Sequence, residues 1–142
     1  MDEELRRELI LENNAHPFNR KTIDDDAFIK VNSNNSSCID NINLYIKIEN
    51  DVITDFYFDG EACAITTSAT SIMIQNVLNK ELDEVLEFVN NYEKMINGEE
   101  YNSSLLKEAN AYNEIYKQQN RKTCALLPYK GLRSAINEYQ NK

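Results

Sequence analysis

The sequence predicts an α+β fold: a small antiparallel three-stranded sheet packed against several helices. Three observations carry this. Apolar residues alternate with period two only between about residues 28 and 58. On either side of that stretch they recur at helical spacing. The order is therefore helix, sheet, then helices, with no alternating strand–helix units. A chain of 142 residues suits one ordinary domain and leaves little room for a second.

Residues 2–13 read as a short amphipathic helix. Leu5, Leu9 and Ile10 recur at helical spacing, with acids in the first turn where the helix dipole favours them. Asn13, Asn14 and Pro17 end it. Phe28-Ile29-Lys30-Val31 alternates as a short strand, and residues 32–37 are a loop by composition. Ile42, Leu44, Ile46 and Ile48 form one face of the next strand, with Asn43, Tyr45 and Lys47 on the other. Asn50-Asp51 turns into a third strand carrying Val52, Ile53, Phe56 and Phe58 and ending at Asp59-Gly60, so these two strands form a hairpin.

From Cys63 the period becomes helical. Ala64, Ile65, Ala69, Ile72, Met73 and Val77 mark one stripe, with small Thr and Ser residues between. A second helix runs from about Leu82 to Met95 and stops at the cap signal Asn97-Gly98. Leu105, Leu106, Ala109, Tyr112 and Tyr116 predict a further helix within residues 99–121. The last helix is expected to start near Pro128 and to carry Leu132, Ala135, Ile136 and Tyr139.

Composition excludes several functions. Asp and Glu total 24 against 15 Lys and Arg, a net charge of −9. An acidic surface repels phosphate, so neither nucleic acid nor an anionic membrane is expected as a partner. The start, Met1-Asp2-Glu3-Glu4, is acidic where a secretory signal needs a basic opening and an apolar core. No apolar run approaches the length that spans a bilayer. A cytoplasmic protein is expected. The three glycines are scattered and build no phosphate loop. His16 is the only histidine, and it reads as a surface residue, which leaves no Ser-His-Asp or Cys-His hydrolase.

The cysteines are Cys38, Cys63 and Cys124, an odd number that cannot pair off within the chain. Cys38 sits in the polar loop, two residues before Asp40. In an extended segment residues i and i+2 point the same way, so thiol and carboxylate can face one point. Cys63 precedes a helix, and Cys124 is expected between the basic pair Arg121-Lys122 and the last helix. A helix start favours thiolate over thiol. Three thiolates and one carboxylate make the four ligands that zinc prefers. No C-x-x-C pair marks the set, so spacing alone leaves core thiols, a nucleophile and metal ligands all open. Thr66, Thr67, Ser68, Thr70 and Ser71 fit a close-packed interface of small residues.

Together the cysteine segments resemble the iron–sulfur scaffold superfamily of IscU, SufU and NifU-like proteins. Cys38-Ile39-Asp40 resembles the family's C-G-D. Phe58-Asp59-Gly60-Glu61-Ala62-Cys63, followed by small and hydroxyl residues, resembles its F-x-G-x-G/A-C. Cys124 resembles the cysteine just before the final helix, and His16-Pro17-Phe18-Asn19 its H-P-x-N segment. The SufU branch fits best. Residues 97–118 look like the helical insertion of that branch, the L-P-P-V-K motif is missing, and Thr123 stands where the IscU branch has His. Arg121 is the nearest counterpart of the arginine that SufU-like chains carry there. Two departures stand out: Ile39 replaces Gly, and Thr123 precedes the third cysteine.

The resemblance implies a single domain over residues 1–142 with a SufE/NifU-like fold. It implies a zinc site of Cys38, Asp40, Cys63 and Cys124. It implies a SufS-type, PLP-dependent cysteine desulfurase as partner and, for this chain, the role of a zinc-dependent sulfur acceptor rather than a stand-alone enzyme. Cys38, on its polar loop, is the expected acceptor, with Arg121 supporting. The alternatives are a scaffold holding a transient [2Fe–2S] cluster on the same residues, and a structural zinc or interaction module. A homo-oligomer is compatible with either.

Overall fold

The computed structural model describes residues 1–36 and 38–142. Its elements run α1 (Glu3–Ala15), β1 (Ile29–Asn34), β2 (Asn41–Glu49), β3 (Val52–Glu61), α2 (Ala64–Val77) and α3 (Leu82–Ile96). Three short 3-10 segments follow (Ser103–Leu105, Lys107–Tyr112, Ile115–Lys117), then α4 (Gln119–Gln140). The sheet is antiparallel in the order β1-β2-β3, as the alternation predicts.

The sheet's inner face is apolar apart from Ser33. Ile42, Leu44, Ile46, Phe56 and Phe58 are buried there. Alternation in β3 breaks between Ile53 and Phe56 because a bulge shifts the register opposite Lys47 and Ile48. The bulge keeps Ile53 in the core although it lies an odd number of residues from Phe56. Residues 19–21 run along the free edge of β3, where the Phe58 N–H donates to Asn19 O and the Lys21 N–H to Phe58 O.

Strand β1 extends further than its composition suggests. Asn32, Ser33 and Asn34 pair with Asn43, Ile42 and Asn41 instead of looping. The Asn32 amide reaches Asn41 and Asn43 across the strands, and buried Ser33 donates to Leu127 O at 2.9 Å. Ser37, the end of the predicted loop, lies outside the described residues.

Helices α2 and α4 pack against each other and on the sheet, α1 lies on α2, and α3 on α4. A Cβ on Gly131 would lie 2.6 Å from Leu44 Cδ1, so a side chain there would push Leu44 aside where α4 presses on β2. Helix α2 is buried nearly all round, from Thr66 to Ile74. Its small hydroxyl residues let neighbours approach closely, and two of their hydroxyls are satisfied within the helix: Thr70 donates to Thr66 O, and Ser68 to Ile65 O. Helix α1 buries no residue fully; Leu9 and Ile10 pack on the core while Leu5 is exposed.

Two helix expectations change. Within residues 99–121, the stretch 103–117 forms three 3-10 segments rather than one α-helix. Leu106, Ala109, Tyr112 and Ile115 are buried there at a spacing of three, which matches the 3-10 period, with Ala111 buried beside them. Tyr116 points to solvent instead. The last helix begins at Gln119, so Pro128 lies inside it. Its first turns are polar and Gln118 makes no side-chain cap, so Pro128 is the clearest start signal in the sequence although it lies inside the helix. No helix among the described residues is long and apolar enough to cross a membrane.

Candidate metal centre

The three thiols and one carboxylate converge where the N-terminus of α2, the body of α4 and the loop before β2 meet. The ligand atoms of Cys38, Asp40, Cys63 and Cys124 all lie within 4.8 Å of one another. Each arrives by a separate local rule. The loop before β2 is closed by Cys38 N–H to Asn35 O and Asn35 N–H to Asp40 O. Ile39, at the usual glycine position, keeps out of the left-handed region and turns to solvent, two-thirds exposed. Cys38 and Asp40 therefore face the same point without glycine's freedom.

Gly60 sets the β3 side. Its φ is +111°, and a Cβ there would lie 2.2 Å from Asn41 O. Glycine lets β3 hug β2 before the chain turns into α2. Cys63 is the N-cap of α2, as the sequence predicts. Its N–H donates to Asp40 Oδ1 at 2.7 Å, and its Sγ lies 3.8 Å from Oδ2.

Cys124 differs from expectation. It sits inside α4 rather than before it, and it is buried. Helix-start electrostatics therefore act on Cys63 alone. Cys38 is exposed and Cys63 half-buried, so the cluster is open on the Cys38 side. Arg121 is exposed, lines the same open cavity as the three cysteines, and makes no hydrogen bond or ion pair with Asp40. His16 caps the end of α1 and stands outside the cluster.

Burial pushes the Asp40 carboxyl up, but hydrogen bonds from the Cys63 N–H, the Thr66 hydroxyl and the Cys124 and Cys63 thiols outweigh it and hold it below its ordinary value. Burial, reinforced by Asp40 and Cys63, pushes the Cys124 thiol up to about 12. Without a cation, the deepest thiol thus keeps its proton beside a carboxylate anion. A divalent metal would reverse that balance.

The donor set fits zinc. Zinc–sulfur bonds of about 2.3 Å put tetrahedral sulfurs roughly 3.8 Å apart, so a small contraction closes the group. Three soft thiols favour zinc or iron over magnesium or calcium.

Sequence reasoning missed Thr66. It is completely buried, and its hydroxyl donates to Asp40 Oδ2 at 2.7 Å. The signal was present: Cys63-Ala64-Ile65-Thr66 has capping-box spacing, which points the third helical residue back at the N-cap.

The chain is similar to known proteins over most of its length. The chain is 31% identical over 133 residues to the zinc-dependent sulfurtransferase SufU of Bacillus subtilis, covering 93% of this chain and 89% of that protein. It is 31% identical over 114 residues to the iron–sulfur cluster assembly scaffold protein IscU of Thermotoga maritima, 80% of each. A crystal structure from Fervidobacterium islandicum AW-1, described as a candidate iron–sulfur cluster assembly scaffold of the SUF system, superposes with a TM-score of 0.87 at 29% identity, covering 96% of this chain and 99% of that one. The profile of the NifU-like N-terminal domain matches residues 5–142, and the chain belongs to that family.

Proposed function

We propose that this protein serves iron–sulfur cluster assembly as a zinc-dependent sulfur acceptor. It takes persulfide sulfur from a SufS-type, PLP-dependent cysteine desulfurase and passes it on, acting with that enzyme rather than alone. The observation that carries the reading is the meeting of Cys38, Asp40, Cys63 and Cys124 within 4.8 Å, in a chain similar to a zinc-dependent sulfurtransferase over 93% of its length. All four are assigned as metal ligands. The whole chain is read as one domain, with 97–118 as the SufU-type insertion.

Bound zinc would keep its thiolates deprotonated at neutral pH. Cys38 is assigned as the acceptor because it is the exposed member, on the loop that opens the cluster. Its Sγ attacks the outer sulfur of the desulfurase persulfide. A new S–S bond forms at Cys38, the donor's S–S bond breaks, and the donor leaves as a thiolate, so no oxidant or reductant is consumed. Buried Cys124 and Asp40 stay behind as anchors. Exposed Arg121, on the rim of the same cavity, supplies positive charge where an anionic sulfur arrives.

A scaffold role for a [2Fe–2S] cluster draws on the same residues, and the Thermotoga relative carries the scaffold name. Thr123 favours the acceptor reading, since the histidine of the IscU branch is missing beside Cys124. Desulfurase turnover with and without this protein tests the assignment. We expect stimulation, a colourless protein with one zinc per chain, and labelled sulfur on Cys38. A red-brown protein that does not stimulate turnover would put the scaffold ahead. Labelled sulfur on a Cys38→Ser variant would remove Cys38 from its role.

A further inference from the structure

Thr66 touches three of the four residues of the centre. Its hydroxyl donates to Asp40 Oδ2 at 2.7 Å, lies 3.2 Å from Cys124 O and 3.4 Å from Cys63 Sγ. Its backbone N–H points at the Cys63 sulfur at 3.5 Å. It is the third residue of α2 and fully buried, so its direction is set by the helix and by packing.

A hydroxyl has one hydrogen to give. The shorter contact goes to Asp40 Oδ2, while the Cys63 N–H holds Oδ1 at 2.7 Å. Both carboxylate oxygens are thereby tied to α2. Rotation of the Asp40 side chain would break one bond or the other. The second acceptor, the Cys124 carbonyl, exists because of Pro128. In a regular helix the N–H four residues on would bond that carbonyl, and proline has none. Pro128 thus leaves the Cys124 carbonyl for a donor outside α4, and Thr66 stands within reach of it.

We propose that Thr66 is a positioning residue. Its hydroxyl fixes the Asp40 carboxylate against α2 so that it is aimed at a metal held by Cys38, Cys63 and Cys124. The Cys124 carbonyl, 3.2 Å away, is a second acceptor for the same hydrogen, so the buried hydroxyl is satisfied in either orientation. The proposal rests on the metal-site reading above. Partners of this kind orient ligands, and their loss costs roughly 10- to 100-fold in metal affinity.

Thr66→Ser and Thr66→Ala differ in the hydroxyl alone, and comparing them tests the idea even if the bulk of threonine is needed for packing. Zinc affinity is measured on the full chain by competition with a chromogenic chelator. Cobalt(II) replaces zinc to report ligand geometry through its visible absorption. Ser is expected to stay within about threefold of the parent, and Ala and the isosteric Thr66→Val to lose roughly 10-fold or more. The cobalt bands shift in Ala and Val and not in Ser. Equal affinity and equal spectra for Ser and Ala would overturn the role of Thr66 while leaving the metal site standing. A parent protein that binds neither zinc nor cobalt would overturn both.

Discussion

Two aspartates sit at the same end of the β2–β3 hairpin and meet different fates. Asp59, near the end of β3, accepts from the Thr22 hydroxyl, the Asn43 amide and the Tyr45 hydroxyl, with Arg20 nearby. Asp40, just before β2, accepts from the Cys63 N–H and the Thr66 hydroxyl and faces three thiols. Burial raises both carboxyls, and hydrogen bonds outweigh it in both. The pKa direction alone does not separate them. What separates them is the company: Asp59 is enclosed by donors that hold a charge in place, whereas Asp40 shares its surroundings with groups that bind metal only after losing protons. One is a structural pin and the other is one of the four residues we propose as metal ligands.

The sharpest way to break the comparison is to neutralise each in turn. Asp40→Asn keeps the shape and removes the anionic ligand. Zinc affinity, read by chelator competition, is expected to fall by about two orders of magnitude. Asp59→Asn is expected to leave zinc affinity unchanged and to cost about 1–2 kcal/mol of folding stability in urea. Loss of zinc in Asp59→Asn would show that the two carboxylates act as one unit.

Acid and alkali probe the Asp59 side of the comparison on metal-free protein. The folded Asp59 carboxyl titrates below its ordinary value, so its contribution is present above the unfolded pKa near 4 and is lost as pH falls through the folded one. Tyr45 runs the other way: burial, then its bond to Asp59 and that residue's charge, raise it to about 12. Its contribution is present below pH 10 and lost as pH rises toward 12. Urea midpoints of the parent should drop on both limbs. Asp59→Asn should flatten the acid limb, and Tyr45→Phe the alkaline one. An unchanged acid limb in Asp59→Asn would deny the network its role.

The sheet was legible because one face is buried and period two leaves little choice of register. Cys63 was legible too, since a cap position follows from the strand-to-helix change. Cys124 was not. Reading Pro128 as a helix start displaced the boundary, and only burial inside α4 places that thiol correctly. The region from 99 to 121 failed for a related reason. Periods of 3.0 and 3.6 diverge slowly, so a stripe at 106, 109 and 112 supports either until Ile115 replaces Tyr116 inside. The pairing of the ligands across the fold came from resemblance. Spacing alone could not supply it, because the centre joins a loop, a cap and a helix interior far apart in sequence. Thr66 is one of five hydroxyl residues in α2 that the sequence does not tell apart, and it is the one whose hydroxyl donates to Asp40.

The smallest effect concerns Ile39. Its side chain is two-thirds exposed and its φ is ordinary, so the loop does not need glycine where the family's pattern has one. Ile39→Gly should leave zinc stoichiometry and affinity where they are. It should cost about 0.4–1 kcal/mol of stability, because glycine widens the unfolded ensemble and adds no contact. The result bears on the two aspartates, since Asp40 is held from α2 rather than by the stiffness of the residue before it. If Ile39→Gly weakened zinc tenfold, β-branching at that position would be holding Asp40 in place. The anchoring role would then shift from Thr66 and the Cys63 N–H to the loop itself.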